Sequence, residues 1–384
     1  MTSSLVVAAA HVHAPDGVLS PGWVRVTDGR VAEVGSGVPA SSDLTAHRVT
    51  PGLVDVHCHG GGGGDFGGDD ASIRTAAARH LRAGTTSVLA SLVSAPIDVL
   101  ADQVSRLREH ASAGTVAGIH LEGPWIAASR CGAHDPRALR APERSDVDRL
   151  LRLAVGHLRM VTLAPELPGA LDAVRHLVAA GVVVAIGHTD ADPATVTAAI
   201  DAGATVATHL FNAMQPLHHR EPGPVGALLS DPRAVVELID DGVHLDPTVV
   251  DLAIAAVGPH RWMLVTDAIS AAGQGDGVLS LGGLDVVVTD GQARLVDSGA
   301  LAGSTLLLAE AVRRQVRRGR DAHDAVEAAT STPAATLHLD AGRITAGAAA
   351  NLLLLDDQWE TTAVLRRGTP VPLSPAPRHL DASN

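Results

Sequence analysis

Histidines and acids recur in this chain at the ends of apolar, strand-like runs. VDVHCH ends on His57 and His59, GIHLEGP carries Glu122, VVVAIGHTD carries His188, TVATHLFNAM carries His209 and MLVTDA carries Asp267. Four imidazoles and two carboxylates are the ligand types that suit a first-row divalent ion. In His57-Cys58-His59 the period of two puts both imidazoles on one face of a strand and the thiol on the other. Glu122 is placed to ligate an ion or to bridge two. Asp267 is placed to take a proton from a metal-activated water and return it to a leaving group. His120, two residues before Glu122, points the same way and reads equally as a supporting or a core histidine. Each residue alone has an ordinary reading as a strand-end or turn residue. Their repetition at successive strand ends points to a metal-dependent hydrolase.

Something must hold these strand ends together. From Pro51 onward strand and helix patterns alternate, the mark of a parallel sheet. Strands are predicted at 53–58, 85–92, 116–121, 160–165, 182–187, 205–209, 235–240 and 262–267. Helical patterns fall between them at 71–83, 96–112, 145–157, 169–180, 192–202 and 247–257, and a longer helix is expected at about 303–320. Eight such units predict a closed (β/α)8 TIM barrel, whose active site sits at the C-terminal ends of its strands. Residues 1 to about 50 read as short strands with turns at Asp16-Gly17 and Asp28-Gly29, and the tail from about 340 returns to that pattern. The expected organisation is therefore a small β-sandwich domain from 1–50 plus 340–384, beside a catalytic barrel over 51–339. Gly60 to Gly64 is expected to be a loop, and 271–277 an Ala- and Gly-rich one.

Composition narrows the chemistry. All 29 basic residues of the 384 are arginine. Without lysine there is no Schiff base, no P-loop and no carbamylated lysine to bridge metals, so a bridge would fall to Glu122. Tyrosine is also absent, which removes a phenolic acid. The net charge of −13 argues against nucleic acid or an anionic membrane as partner, and an anionic substrate would need specific arginines. Cys58 and Cys131 are too few for a disulfide framework. No basic leader precedes the first apolar run, and no apolar stretch approaches the roughly 18 residues of a membrane span, so a cytoplasmic location is expected.

Longer motifs carry a resemblance. PGLVDVHCHGGGGGDF, HLEGPWI, GHTDA, THLFNAM, REPGPVGA, DGVHLDP, TDAISAAG and LAGSTL are similar, in order, to motifs of the amidohydrolase superfamily, and specifically of its N-acetylglucosamine-6-phosphate deacetylase family. The resemblance implies hydrolysis of the acetamide of a phosphorylated amino sugar, releasing acetate. It implies a main metal site at Glu122, His188 and His209, and a second position at His57 and His59 bridged by Glu122. One or two divalent ions are expected, zinc foremost, with iron, cobalt or manganese also suited. Asp267 becomes the catalytic acid/base and His134 a contact to sugar and scissile carbonyl. Ala133, Asn212, Ala213, Arg220, His244, Leu301, Ala302 and Gly303 become substrate contacts. A homodimer is implied, with Arg220 and His244 as candidates to reach into the neighbour's site. One departure is Cys131, which stands where the family usually has a basic residue, either on a mobile lid or as an idle thiol. A deaminase or cyclic-amide hydrolase of the same superfamily is the alternative, and a metal-free binding scaffold is the alternative from another class.

Overall fold

The computed structural model describes residues 4–373, so residues 1–3 and 374–384 of the expected small domain lie outside it. Eight parallel strands follow one another in sequence order around a single sheet. They are Leu53–Asp55, Thr85–Leu92, Gly118–Glu122, Leu158–Leu163, Val183–Ile186, Val206–Ala207, Val235–Leu238 and Trp262–Leu264. The first and eighth meet at the mouth. There the Asp267 N–H donates to His57 O at 2.8 Å and the His59 N–H to Ala268 O at 2.7 Å. Deeper in, Asp55 accepts from Thr266 Oγ1 at 2.6 Å, and burial lifts the Asp55 carboxyl to about 7. The expected (β/α)8 barrel is therefore what the chain forms.

The helices obey the spacing that predicted them. Ile97–Ser112 buries Ile97, Leu100, Ala101, Val104 and Leu107, a three-four repeat that lays one stripe on the sheet. Asp69, Asp192 and Asp246 each cap a helix by accepting from a first-turn N–H, and Pro193 and Pro247 open theirs, where no N–H is needed. Each fully buried leucine or isoleucine on such a stripe contributes about 2 kcal/mol of transfer free energy.

Both chain ends meet in one further sheet of eight strands. Ser4–Ala14 runs parallel to Leu44–Pro51, and Leu44–Pro51 pairs antiparallel with Leu352–Leu355. Val7, Val12, Val24, Val49, Leu352 and Leu365 form its own buried cluster. The Asp28-Gly29 turn is a tight hairpin, with φ of 49° and 76° at its two residues.

Four expectations need correction. His57 and His59 lie just beyond the first strand, which ends at Asp55. The helix expected at about 303–320 spans Leu308–Arg317, because 303–307 is tied to the eighth strand end: the Ser304 N–H donates to Asp267 O at 2.8 Å. Gly60 to Gly64 is part of a minimal hairpin pairing Gly60–Gly61 with Gly64–Asp65. The 271–277 loop leads into an unanticipated antiparallel sheet of Gly277–Leu281, Leu284–Thr289 and Gln292–Leu295. Its turn signals, Gly282-Gly283 and Asp290-Gly291, were present in the sequence.

Candidate active site

The strand ends converge on Glu122. Its Oε1 lies 3.1 Å from His188 Nε2 and 2.9 Å from His209 Nε2, while its Oε2 lies 3.1 Å from His59 Nε2 and 3.3 Å from His134 Nε2. His57 Nε2 sits 3.5 Å from Glu122 Oε1 and 3.5 Å from Asp267 Oδ1. Asp267 Oδ1 is also 3.2 Å from His59 Nε2. The six residues expected to form the centre are thus assembled in one place and all buried.

Left-handed backbone aims three of them. His188, His209 and Asp267 have φ of 49°, 26° and 48°, just past the ends of their strands at Ile186, Ala207 and Leu264. That conformation costs a non-glycine residue on the order of 1 kcal/mol or more. It turns each side chain into the mouth rather than letting it alternate with its strand.

Hydrogen bonds at the far nitrogen orient the rings. His188 Nδ1 donates to Arg130 O at 2.8 Å and His59 Nδ1 to Ser91 O at 3.2 Å. His57 Nδ1 donates to Glu237 Oε2 at 3.0 Å. These contacts leave the Nε2 lone pairs of His57, His59 and His188 bare; His57 Nε2 faces His59 Nε2 at 3.2 Å, and His188 Nε2 faces His209 Nε2 at 3.1 Å. Lone pairs that close together around two carboxylates fit a divalent cation. Without one, protons take its place. Burial alone would lower His59, but hydrogen bonds to Asp267 and Glu122 raise it to about 9, and Glu122, Asp267 and Glu237 likewise overcome burial to raise His57. Burial works to raise Asp267, yet His57 and His59 hold it well below the ordinary carboxylate range, and Glu122 is lowered similarly against burial by His57 and His134.

His134 differs. The Ser94 N–H donates to its Nδ1 at 3.1 Å, which leaves the ring proton on Nε2. Burial outweighs Glu122 and lowers it to about 4, so it is a neutral donor at pH 7. His120 lies between Ser91 Oγ and Thr162 Oγ1, each 2.9 Å away, and packs edge-on against His57 with ring centroids 4.6 Å apart. Both its nitrogens are engaged, so it supports the His57 ring and ligates nothing.

Above the centre is a cavity of about 360 Å³, lined by Ala133, His134, Asn212, Ala213, His244, Leu301 and Gly303 among the expected contacts. Leu281 of the extra sheet and Val93 close one side. Ala302 departs from expectation, being buried beneath that sheet with Ile269 and Leu281. His244 lines the cavity of its own chain, where delivery from a neighbour had been an option, and its Nδ1 bonds Asp241 at 2.7 Å. Arg220 does not line it: the side chain is exposed, with Nη1 2.7 Å from His219 Nε2. Cys131 is partly exposed between two lining residues, Arg130 and Gly132. Sequence reasoning missed Glu237, Ser91, Ser94 and Arg130. Only Glu237 left a signal, as an acid inside the apolar run VVELI.

Comparison with known proteins agrees with this geometry. Residues 48–374 match the model of the amidohydrolase family. The N-acetylgalactosamine-6-phosphate deacetylase of Escherichia coli O157:H7 is 37% identical over 91% of this chain and 95% of its own length. The N-acetylglucosamine-6-phosphate deacetylase of Bacillus subtilis (strain 168) is 33% identical over 96% and 97%. Among solved structures, an aspartate-to-alanine variant of the Mycobacterium smegmatis N-acetyl-D-glucosamine-6-phosphate deacetylase, in complex with N-acetyl-D-glucosamine-6-phosphate, superposes with a TM-score of 0.94 at 45% identity, covering 96% of this chain and 99% of that one. These full-length matches, at the level of identity found, place the chain in the amidohydrolase family, within its N-acetylglucosamine-6-phosphate deacetylase branch.

Proposed function

We propose that this chain hydrolyses the acetamide of N-acetylglucosamine 6-phosphate to acetate and glucosamine 6-phosphate. The observation that carries the reading is the convergence of four imidazoles, Glu122 and Asp267 at one cavity, which all of them line except His57 just beneath, in a chain whose full-length relatives are named as such deacetylases. Glu122, His188 and His209 would hold one divalent ion, and His57 and His59, sharing Glu122, a second. Such an ion supplies Lewis acidity, lowering the pKa of water and polarising a carbonyl. Zinc is our first choice of ion, with iron, cobalt and manganese as alternatives.

The chain's own groups move the protons. Asp267, held ionised by His57 and His59, takes a proton from the attacking water. His134 donates its Nε2–H to the carbonyl oxygen as negative charge grows there, and Ser94 keeps that proton in place. Asp267 then returns the proton to the nitrogen, without which the amine leaves poorly. Asn212, the Ala213 backbone and His244 face the sugar.

The phosphate needs a cation that the cavity does not offer freely. Arg130 lines it but is paired with Asp190 and hydrogen-bonded toward the protein. We therefore assign the phosphate to Arg220 of a second copy in a homodimer. The domain division, 1–50 with 340–384 against 51–339, and a cytoplasmic location complete the reading. The two free thiols are compatible with a reducing compartment.

The test is acetate release from N-acetylglucosamine 6-phosphate, with chelator and with metal restored. Chelator-sensitive release supports the reading, and no release from metal-loaded protein ends it. The E. coli relative makes the galactosamine epimer the second substrate to assay.

A further inference from the structure

Glu237 has no role in the proton transfers above, yet its side chain is wholly buried in the barrel. A carboxylate removed from water carries a large desolvation cost unless it is well paired. Here the pairing is sparse. Among the described residues its one ion-pair partner is His57, and its Oε1 has no hydrogen-bond partner. Its Oε2 does two things: it accepts from His57 Nδ1 at 3.0 Å and from the His209 backbone N–H at 3.0 Å. The other rings are treated differently. His59 and His188 donate to neutral carbonyls, and His209 Nδ1 has no partner among the described residues. His57 alone of the four is backed by a carboxylate.

An acceptor against Nδ1 keeps the ring proton there and leaves the Nε2 lone pair free. A carboxylate acceptor also makes that lone pair more electron-rich than a carbonyl would. That Nε2 faces His59 Nε2 at 3.2 Å. Through the His209 amide the same oxygen fixes the turn that aims a ligand of the other position.

We propose that Glu237 is a positioning residue that holds His57 ready to ligate the second ion and, through the His209 amide, sets the spacing of the two ion positions. The proposal rests on the reading that both positions take divalent ions.

The test is zinc binding to the metal-free full chain, measured against a competing chelator for wild type, E237Q and E237L, with thermal melting of each metal-free protein. E237Q keeps an acceptor but loses the charge, and one of two zinc affinities should fall about tenfold. E237L loses both contacts and should weaken that ion further, by about a hundredfold, with metal-free melting lowered, since the buried His57 ring and His209 amide lose their partner. Steady-state kinetics should show the loss in kcat and its recovery at high zinc, with KM little changed. Two zinc ions in wild type and unchanged affinities in a folded E237Q would overturn the assignment of Glu237 alone. A single zinc in wild type would overturn the two-ion reading and this proposal together.

Discussion

At the cavity floor and just beneath it, His57, His59, Glu122, His188 and His209 are each less than 5% exposed, and the three rings of His57, His59 and His188 are pinned by a hydrogen bond on the far side. At the rim, Arg220 extends into solvent beside His218 and His219, all exposed, on a segment with no helix or strand. The floor is complete within one chain, because strand ends hold it and a packed barrel fixes the strand ends. In the function proposed above, the reader of the phosphate comes from a second copy. Chemistry needs groups held to within a fraction of an ångström, which buried and hydrogen-bonded side chains provide. Recognition of a charged group at the edge tolerates a flexible donor, and it can be shared between copies.

The largest break in that contrast should come from the floor. Asp267→Asn keeps the shape but cannot take the proton, and kcat should fall by about 10² or more with metal content unchanged. Near-normal acetate release from this variant would remove Asp267 from the mechanism.

At the rim, Arg220→Ala should lower kcat/KM for the phosphorylated sugar by about tenfold or more, the worth of a hydrogen-bonded charge pair, and leave unphosphorylated N-acetylglucosamine nearly untouched. Equal losses on both sugars would mean that Arg220 does not read the phosphate. Mixing the two variants, unfolded and refolded together, sharpens the point. If Arg220 serves its neighbour, a hybrid dimer regains one complete site and activity rises above either variant alone. No recovery would keep Arg220 within its own chain.

A smaller effect is expected far from the cavity. His13 is buried against His323 and Trp359, with Arg48, His11 and Asp321 nearby, and burial first, then His323 and Arg48, lowers it to about 4. A depressed histidine favours folding while neutral. Its contribution is therefore full above about 6.5 and is lost as pH falls toward 4, on the order of 3 kcal/mol in all. Melting temperature should drop across that window in wild type and drop less in His13→Phe. Parallel pH curves would assign the acid sensitivity to other groups.

The smallest effect should come from Cys131. Alkylation there adds bulk between Arg130 and Gly132 and should slow turnover in part, while the buried Cys58 stays unreacted. Full activity in quantitatively alkylated protein would show the thiol to be idle.

Much of the floor was legible in order along the chain. Each ligand follows a β-branched run, and a barrel has one place where such run ends can meet. Glu237 was harder to see, because an acid in VVELI reads as a solvent-facing strand residue until the seventh strand is known to point it inward. Ser94 and Arg130 were invisible, since one acts through its backbone N–H and the other through its carbonyl. Every residue carries those groups, and only folding decides where they point. The extra sheet at 277–295 was missed for another reason. Its Gly-Gly and Asp-Gly turns were present, but the strand and helix alternation around them dominated the reading.

By itself the sequence determined the residue types of the centre, their order, the barrel that orders them and the family to which they belong. Hydrophobic periodicity and the ligand chemistry of histidine and carboxylate are local properties, written in neighbouring residues. Tertiary structure alone decided the left-handed turns at His188, His209 and Asp267, which ring nitrogen each histidine presents, and that Arg220 stands outside the cavity of its own chain. Those outcomes depend on contacts between segments tens to hundreds of residues apart, such as His57 with Glu237, which appear only when the barrel closes.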